Sequence, residues 1–175
     1  PDAELWVCAP LRESATQHVV EWDASHACQA HEDRLGNHLL QFVIRDIHPY
    51  GTRIVYVEAT LQGGSRSNRT EPDPAIWLKS ESLIEHEETE FVRLAPVFPA
   101  DMPETTARRI YDWVRAHLRE AGYDGTDRGA LHALTRQQGD CTEFAMLFTA
   151  LCRREGIPAR VMGGYVVERN AVLDP

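Results

Sequence analysis

The chain has 175 residues, of which 43% are hydrophobic, and its 27 acidic against 18 basic side chains give a formal net charge of -9. A chain of this size can bury a core without disulfides or metals, and no apolar run reaches the roughly 18 residues of a membrane span. The excess of acid argues against nucleic acid as a partner, because phosphates require a basic surface.

Residues 1–98 have the pattern of an N-terminal β-rich region. Short runs rich in β-branched and aromatic residues predict strands at Leu5–Cys8, Gln17–Trp22, Asn37–Ile47, Thr52–Leu61 and Glu88–Leu94. The turn sequence at 48–51 joins the third and fourth of these runs, so we expect those two to form a hairpin. The glycine- and serine-rich stretch at 63–68, followed by two prolines, predicts a loop.

From Asp101 the spacing of apolar residues changes from two residues, the period of a strand, to 3.6 residues, the period of a helix. An amphipathic helix is predicted from Asp101 to Ala121, and Asp101 and Glu104 have the spacing of a capping box. We place the region boundary here, with a β-rich region at 1–98 and an α+β core at 99–175.

A second helix of a different kind is predicted to begin at Cys141. Between Cys141 and Cys152 only Thr142, Glu143 and Thr149 are polar, so this helix must be buried nearly all round. Asp140 is its predicted N-cap, and Glu143 stands at the spacing of a capping box. Three residues at 153–155 form a solvated last turn, and a buried strand at 159–167 should follow.

Cys141 is the candidate nucleophile. At the first helical position its thiol faces unpaired backbone N–H groups and the positive end of the helix dipole, which favour the thiolate that attacks carbonyls. The N–H of Cys141 is also a candidate donor to an oxyanion. The adjacent carboxylates of Asp140 and Glu143 oppose the thiolate, so a base or cation is still required. The alternative is a small buried residue, which is how we interpret Cys152 in mid-helix.

The sequence around this cysteine resembles a known family. Gly-Asp-Cys-Thr-Glu at 139–143, the apolar helix after it and Gly-Ile-Pro-Ala-Arg at 156–160 are similar to the core of bacterial transglutaminase-like proteins. That resemblance implies an α+β fold, in which an N-terminal antiparallel β region precedes a papain-like core with a central buried helix headed by Cys141. It also implies thioester-mediated acyl transfer or hydrolysis on peptide or protein amides, with no cofactor and no metal. We expect a peptidase or amidase rather than a cross-linking enzyme.

In that family a catalytic histidine and its Asp or Glu partner follow the matching segment on the next two strands. All eight histidines of this chain precede Cys141, and the chain ends at Pro175. We therefore expect the core to be truncated, the partners of Cys141 to lie outside this chain, and the chain alone to be inactive. The alternative is a catalytically inactive transglutaminase-like module that serves as a binding or scaffold unit. Substrate, oligomeric state and compartment, bacterial cytoplasm or periplasm, stay open.

The remaining patterns predict neither a metal site nor a disulfide. The four cysteines (Cys8, Cys28, Cys141, Cys152) include no C-x-x-C pair and no zinc spacing. The acidic run at 85–90 is typical of a solvated face rather than a metal patch. Arg160 is expected to anchor its loop by an ion pair. Gln137, Gln138 and Trp113 are candidates for a side-chain oxyanion donor, and no motif selects among them.

Overall fold

The computed structural model describes residues 2–14, 16–64, 73–99 and 101–164. The chain divides into two compact units, residues 1–72 and 73–175. Strands dominate the first unit and helices the second, and the α+β class expected from the sequence is confirmed. Phe91 and Phe98 belong to the hydrophobic cluster of the second unit, and the domain boundary expected at 98/99 stays a prediction.

The first unit is built from antiparallel strands. They are β1 (Ala3–Ala9), β2 (Gln17–Ala24), β3 (Cys28–Glu32), β4 (His38–Ile44) and β5 (Val57–Gly63). β4 lies between β1 and β3, and β5 pairs with β2. Leu40 and Phe42 of β4 are completely buried and share one face of the strand, as expected of an antiparallel sheet that covers a core on one side.

The hairpin predicted between the third and fourth runs does not form. The turn itself is present, since the N–H of Gly51 donates to the carbonyl of His48 at 2.8 Å. Both edges of β4, however, are occupied by β1 and β3, so β5 cannot join it. β5 begins at Val57, beyond the turn, and pairs with β2 instead. Turn chemistry locates a reversal of the chain but does not select the strand that pairs.

The second unit is mainly helical. It contains a 3₁₀ helix (Pro74–Leu78), α1 (Thr89–Leu94), α2 (Pro103–His117), α3 (Gly129–Arg136) and α4 (Cys141–Arg154), with the short strands β6 (Arg119–Glu120) and β7 (Gln138–Gly139). α4 packs against α2 and α3, and Leu147, Ala150 and Leu151 at its centre are completely buried. β6 and β7 pair in parallel directly before α4. Within the described ranges, no helix is both long and apolar enough to cross a membrane.

Two elements of this unit differ from the sequence prediction. The run Glu88–Leu94, predicted as a strand, contains helix α1. So short an apolar run does not show whether its residues repeat with the period of a strand or with that of a helix. No strand follows α4 between residues 157 and 164, and the rest of the predicted strand lies outside the described residues.

The long amphipathic helix is confirmed, but its predicted ends are wrong. α2 runs from Pro103 to His117, and its N-cap is Met102 without a side-chain cap. The carboxylate of Asp101 is paired with Arg109 at 2.9 Å, so the predicted capping box is absent.

Candidate active site

Cys141 is the first residue of α4, and its side chain is exposed. The helix begins here because Asp140 caps it, with Oδ1 accepting from the N–H of Thr142 at 2.8 Å. Glu143 closes the capping box by accepting from the N–H of Asp140 at 3.0 Å. These features agree with the sequence prediction. From residue 142 to 154 every side chain is buried or half-buried, so the helix presents the thiol at the surface and is otherwise covered.

The capping box leaves one backbone amide of the first turn unused. The N–H groups of Asp140, Thr142 and Glu143 are held by the two carboxylates of the box. Among the described residues, none accepts a hydrogen bond from the N–H of Cys141. The thiol and an unused donor therefore belong to the same residue, which is the arrangement needed to bind an oxyanion beside an attacking sulfur.

Two hydrogen bonds connect the loop at residues 124–128 to the first turn of α4, and one ion pair lies within the loop. The second carboxylate oxygen of Asp140 accepts from the N–H of Asp124 at 3.1 Å. Oε1 of Glu143 accepts from the N–H of Arg128 at 3.0 Å, and the guanidinium of Arg128 pairs with the carboxylate of Asp124. The loop and the cysteine end of the helix thus form a closed ring of hydrogen bonds.

The electrostatic surroundings of the thiol are acidic. Asp140 and Glu143 are 6% and 4% exposed, and both carboxylates lie within the first turn of α4. Hydrogen bonds donated by the backbone of Asp124 and Thr142 hold the pKa of Asp140 below its usual value of 3.8, so this carboxylate stays charged. The one cation of the ring, Arg128, is paired with Asp124. Two buried carboxylates thus lie at the end of α4 that carries Cys141.

The second unit contains three histidines, His86, His117 and His132. His117 stacks on Trp113 with ring centroids 4.1 Å apart, and His86 is 6% exposed, with burial lowering its pKa. His132 lines an open depression of about 450 Å³ beside α3 together with Arg128. Across the described part of the unit, no histidine hydrogen-bonds to Cys141.

The three side chains considered as oxyanion donors are placed as follows. Gln137 ends α3 in the left-handed conformation (φ 55°), and Gln138 is an exposed residue of β7. Trp113 is half-buried and meets Phe98 edge-on, with centroids 6.4 Å apart. None of the three forms a hydrogen bond with Cys141 within the described ranges, and the structure does not select one.

The other three cysteines differ from one another in burial. Cys152 is 1% exposed, and burial raises its pKa from 9.0 to about 12, so it is a core thiol as predicted. Cys8 is exposed and Cys28 half-buried, and all four cysteines are free. No cluster of three or more His, Cys, Asp or Glu side chains suited to a metal occurs among the described residues.

The comparisons with known proteins agree with this geometry. The family model of the Transglutaminase-like superfamily matches residues 94–174, which include α2, α3 and α4. A crystal structure of a candidate cysteine protease from Cytophaga hutchinsonii is similar with a TM-score of 0.62 and 14% identity, over 90% of this chain and 60% of that one. The present chain thus spans less than two thirds of that protein. No curated protein matches the sequence.

The second unit therefore carries an α+β fold, and residues 94–174, just under half of the chain, match the model of the transglutaminase-like superfamily. The sequence resemblance to this family is thereby confirmed. Two features escaped the sequence analysis, namely the contacts that Asp140 and Glu143 make to the loop at 124–128. In the sequence, the only indications of these contacts are the glycine at 139 and the acidic residues at 140 and 143.

Proposed function

We propose that this chain is the nucleophile-bearing part of an enzyme that forms a thioester on Cys141. The observation that carries the proposal is the exposed thiol of Cys141 next to its own unused N–H, at the capped end of an otherwise covered helix. Peptide or protein amides are the proposed acyl donors.

In the proposed reaction the thiolate of Cys141 attacks an amide carbonyl carbon, and a C–S bond forms. The carbonyl oxygen becomes an oxyanion that accepts from the N–H of Cys141. The C–N bond then breaks, and the amine leaves with a proton delivered by a general acid. Water attacks the thioester, releases the carboxylic acid and restores the thiol. Hydrolysis is thus the proposed outcome, and transfer to a second amine is the competing one.

The general acid and base are proposed to be a histidine oriented by an Asp or Glu, all supplied from outside these 175 residues. This assignment is supported because, among the described residues, none of His86, His117 and His132 forms a hydrogen bond with Cys141.

The experiment is acylation of the protein expressed from its full reading frame by p-nitrophenyl acetate. We expect a burst of p-nitrophenolate and one acetyl group on the peptide that contains Cys141. Cys141→Ala should abolish the burst, whereas Cys8→Ala, the same change at another exposed cysteine, should leave it intact. Adding a primary amine separates the two outcomes, since a hydrolase continues to release acetate and a transferase forms the acetamide. An unlabelled Cys141 peptide would instead favour the binding or scaffold module.

A further inference from the structure

The carboxylate of Glu143 is placed in a way that a simple helix cap does not require. The side chain is 4% exposed and divides its two oxygens between two backbone amides. Oε2 accepts from Asp140, the residue before the nucleophile, and Oε1 accepts from Arg128, both at 3.0 Å. A capping box uses the first of these contacts; the second reaches 15 residues back along the chain.

We propose that Glu143 is a positioning residue for Cys141, an inference that rests on the proposed function. By accepting from the N–H of Asp140 it fixes the Gly139–Asp140 peptide, which directly precedes the peptide that carries the N–H of Cys141. By accepting from the N–H of Arg128 it ties the loop at 124–128 to the same end of the helix. The N–H of Cys141 is thereby kept unpaired and in one direction. The role of Glu143 is in the placement of the oxyanion donor and not in the ionisation of the thiol.

The packing of the backbone supports this role. A Cβ atom added at Gly139 would lie 2.3 Å from Cβ of Glu143, so the two residues are in van der Waals contact. The Glu143 side chain therefore lies against Gly139 and the Gly139–Asp140 peptide. A placement role for Glu143 and a role in ionising the thiol predict different effects on two reactions of Cys141, and an experiment can separate them.

The test compares two reactions of Cys141 in the full reading-frame protein. Acylation by p-nitrophenyl acetate passes through an oxyanion, whereas alkylation by iodoacetamide displaces iodide at a saturated carbon and forms none. For Glu143→Gln, which keeps the size but can accept from only one of the two amides, we expect acylation to fall by about tenfold or more. Alkylation should be unchanged or faster, because a nearby negative charge has been removed.

Two further variants make the result specific. Glu143→Asp keeps the charge but shortens the side chain, so it should also lose acylation while alkylation stays near that of the wild type. Glu155→Gln makes the same chemical change at the other end of α4, where among the described residues the side chain forms no hydrogen bond, and it should match the wild type in both reactions. Thermal unfolding of each variant shows whether it is folded. If Glu143→Gln is not folded, the comparison of acylation with alkylation is made on Glu143→Asp.

The possible outcomes are distinct. Acylation that matches the Glu155→Gln control, or acylation and alkylation that change by the same factor, would overturn the positioning role. If the wild type is acylated on Cys141 while the Glu143 variants equal it, this inference fails alone. If the wild type is not acylated on Cys141, the proposed function fails and the inference fails with it.

Discussion

Arg153 and Glu81 form an ion pair in the second unit that spans 72 residues of sequence, with Nη1 of Arg153 2.7 Å from Oε1 of Glu81. The arginine side chain is 2% exposed, whereas that of Glu81 is 55% exposed. The same guanidinium donates to the carbonyls of Lys79 at 2.7 Å and Ala159 at 2.8 Å. Arg153 therefore joins the end of α4 to the segments before and after it.

This contact corrects one sequence interpretation. Arg153 was expected in a solvated last turn, yet it is buried, because its three acceptors replace water around the guanidinium. The guanidinium of Arg160 lies 5.2 Å from the centre of the Trp77 ring, and the ion pair expected of it stays a prediction.

Replacing Arg153 by Met should destabilise the fold by about 2–4 kcal/mol, since charge-assisted hydrogen bonds of a buried group are lost and two carbonyls lose a donor. Glu81→Gln should cost less than about 1 kcal/mol, because that carboxylate is largely in water. Urea unfolding followed by circular dichroism measures both changes. Equal losses for the two variants would mean that the ion pair, and not the carbonyl contacts, provides the stabilisation.

Gly139 should not tolerate a side chain. An added Cβ would lie 2.3 Å from Cβ and 2.9 Å from Cγ of Glu143, too close for either atom to stay in place. We expect Gly139→Ala to cost about 1–3 kcal/mol. Gly125→Ala is the matched control, because no atom lies within 4 Å of its added Cβ, and its effect should stay within about 0.5 kcal/mol. Chemical denaturation of the pair checks the prediction, and a neutral Gly139→Ala would contradict the packing.

The sequence was sufficient to predict the first residue and the cap of α4, but not the tertiary contacts around them. The first residue of the helix and its cap depend on local pattern, and Asp140, Cys141 and Glu143 stand where the pattern places them. The partner of each strand and the acceptors of Arg153 depend on residues far apart in sequence, for which local periodicity holds no signal. The catalytic base, the domain boundary at 98/99 and the substrate stay predictions.

The charge of Asp140 should contribute to stability only above acidic pH. Its pKa is held below 3.8 in the folded state by the N–H donors of Asp124 and Thr142. A depressed pKa stabilises the fold above the unfolded value of about 3.9, and that stabilisation is lost as the pH falls through the folded value. Asp140→Asn still caps the helix, so its free energy of unfolding should fall less between about pH 5 and pH 2 than that of the wild type. Parallel curves for the two proteins would show that this carboxylate is not responsible.

Cys152 should make the fold sensitive to alkali, with the opposite sign. Burial raises its pKa from 9.0 to about 12, so the folded protein keeps the thiol neutral while an unfolded chain releases the proton. The stabilisation is complete below pH 9 and is lost as the pH rises towards 12. Cys152→Ala removes this titration, and its smaller side chain lowers stability by a similar amount at every pH. The wild-type free energy of unfolding, measured in urea, should therefore fall more steeply above pH 9 than that of Cys152→Ala. Cys8→Ala, at an exposed cysteine, should follow the wild-type slope. A wild-type slope equal to that of Cys152→Ala would show that the buried thiol ionises as readily as one in water.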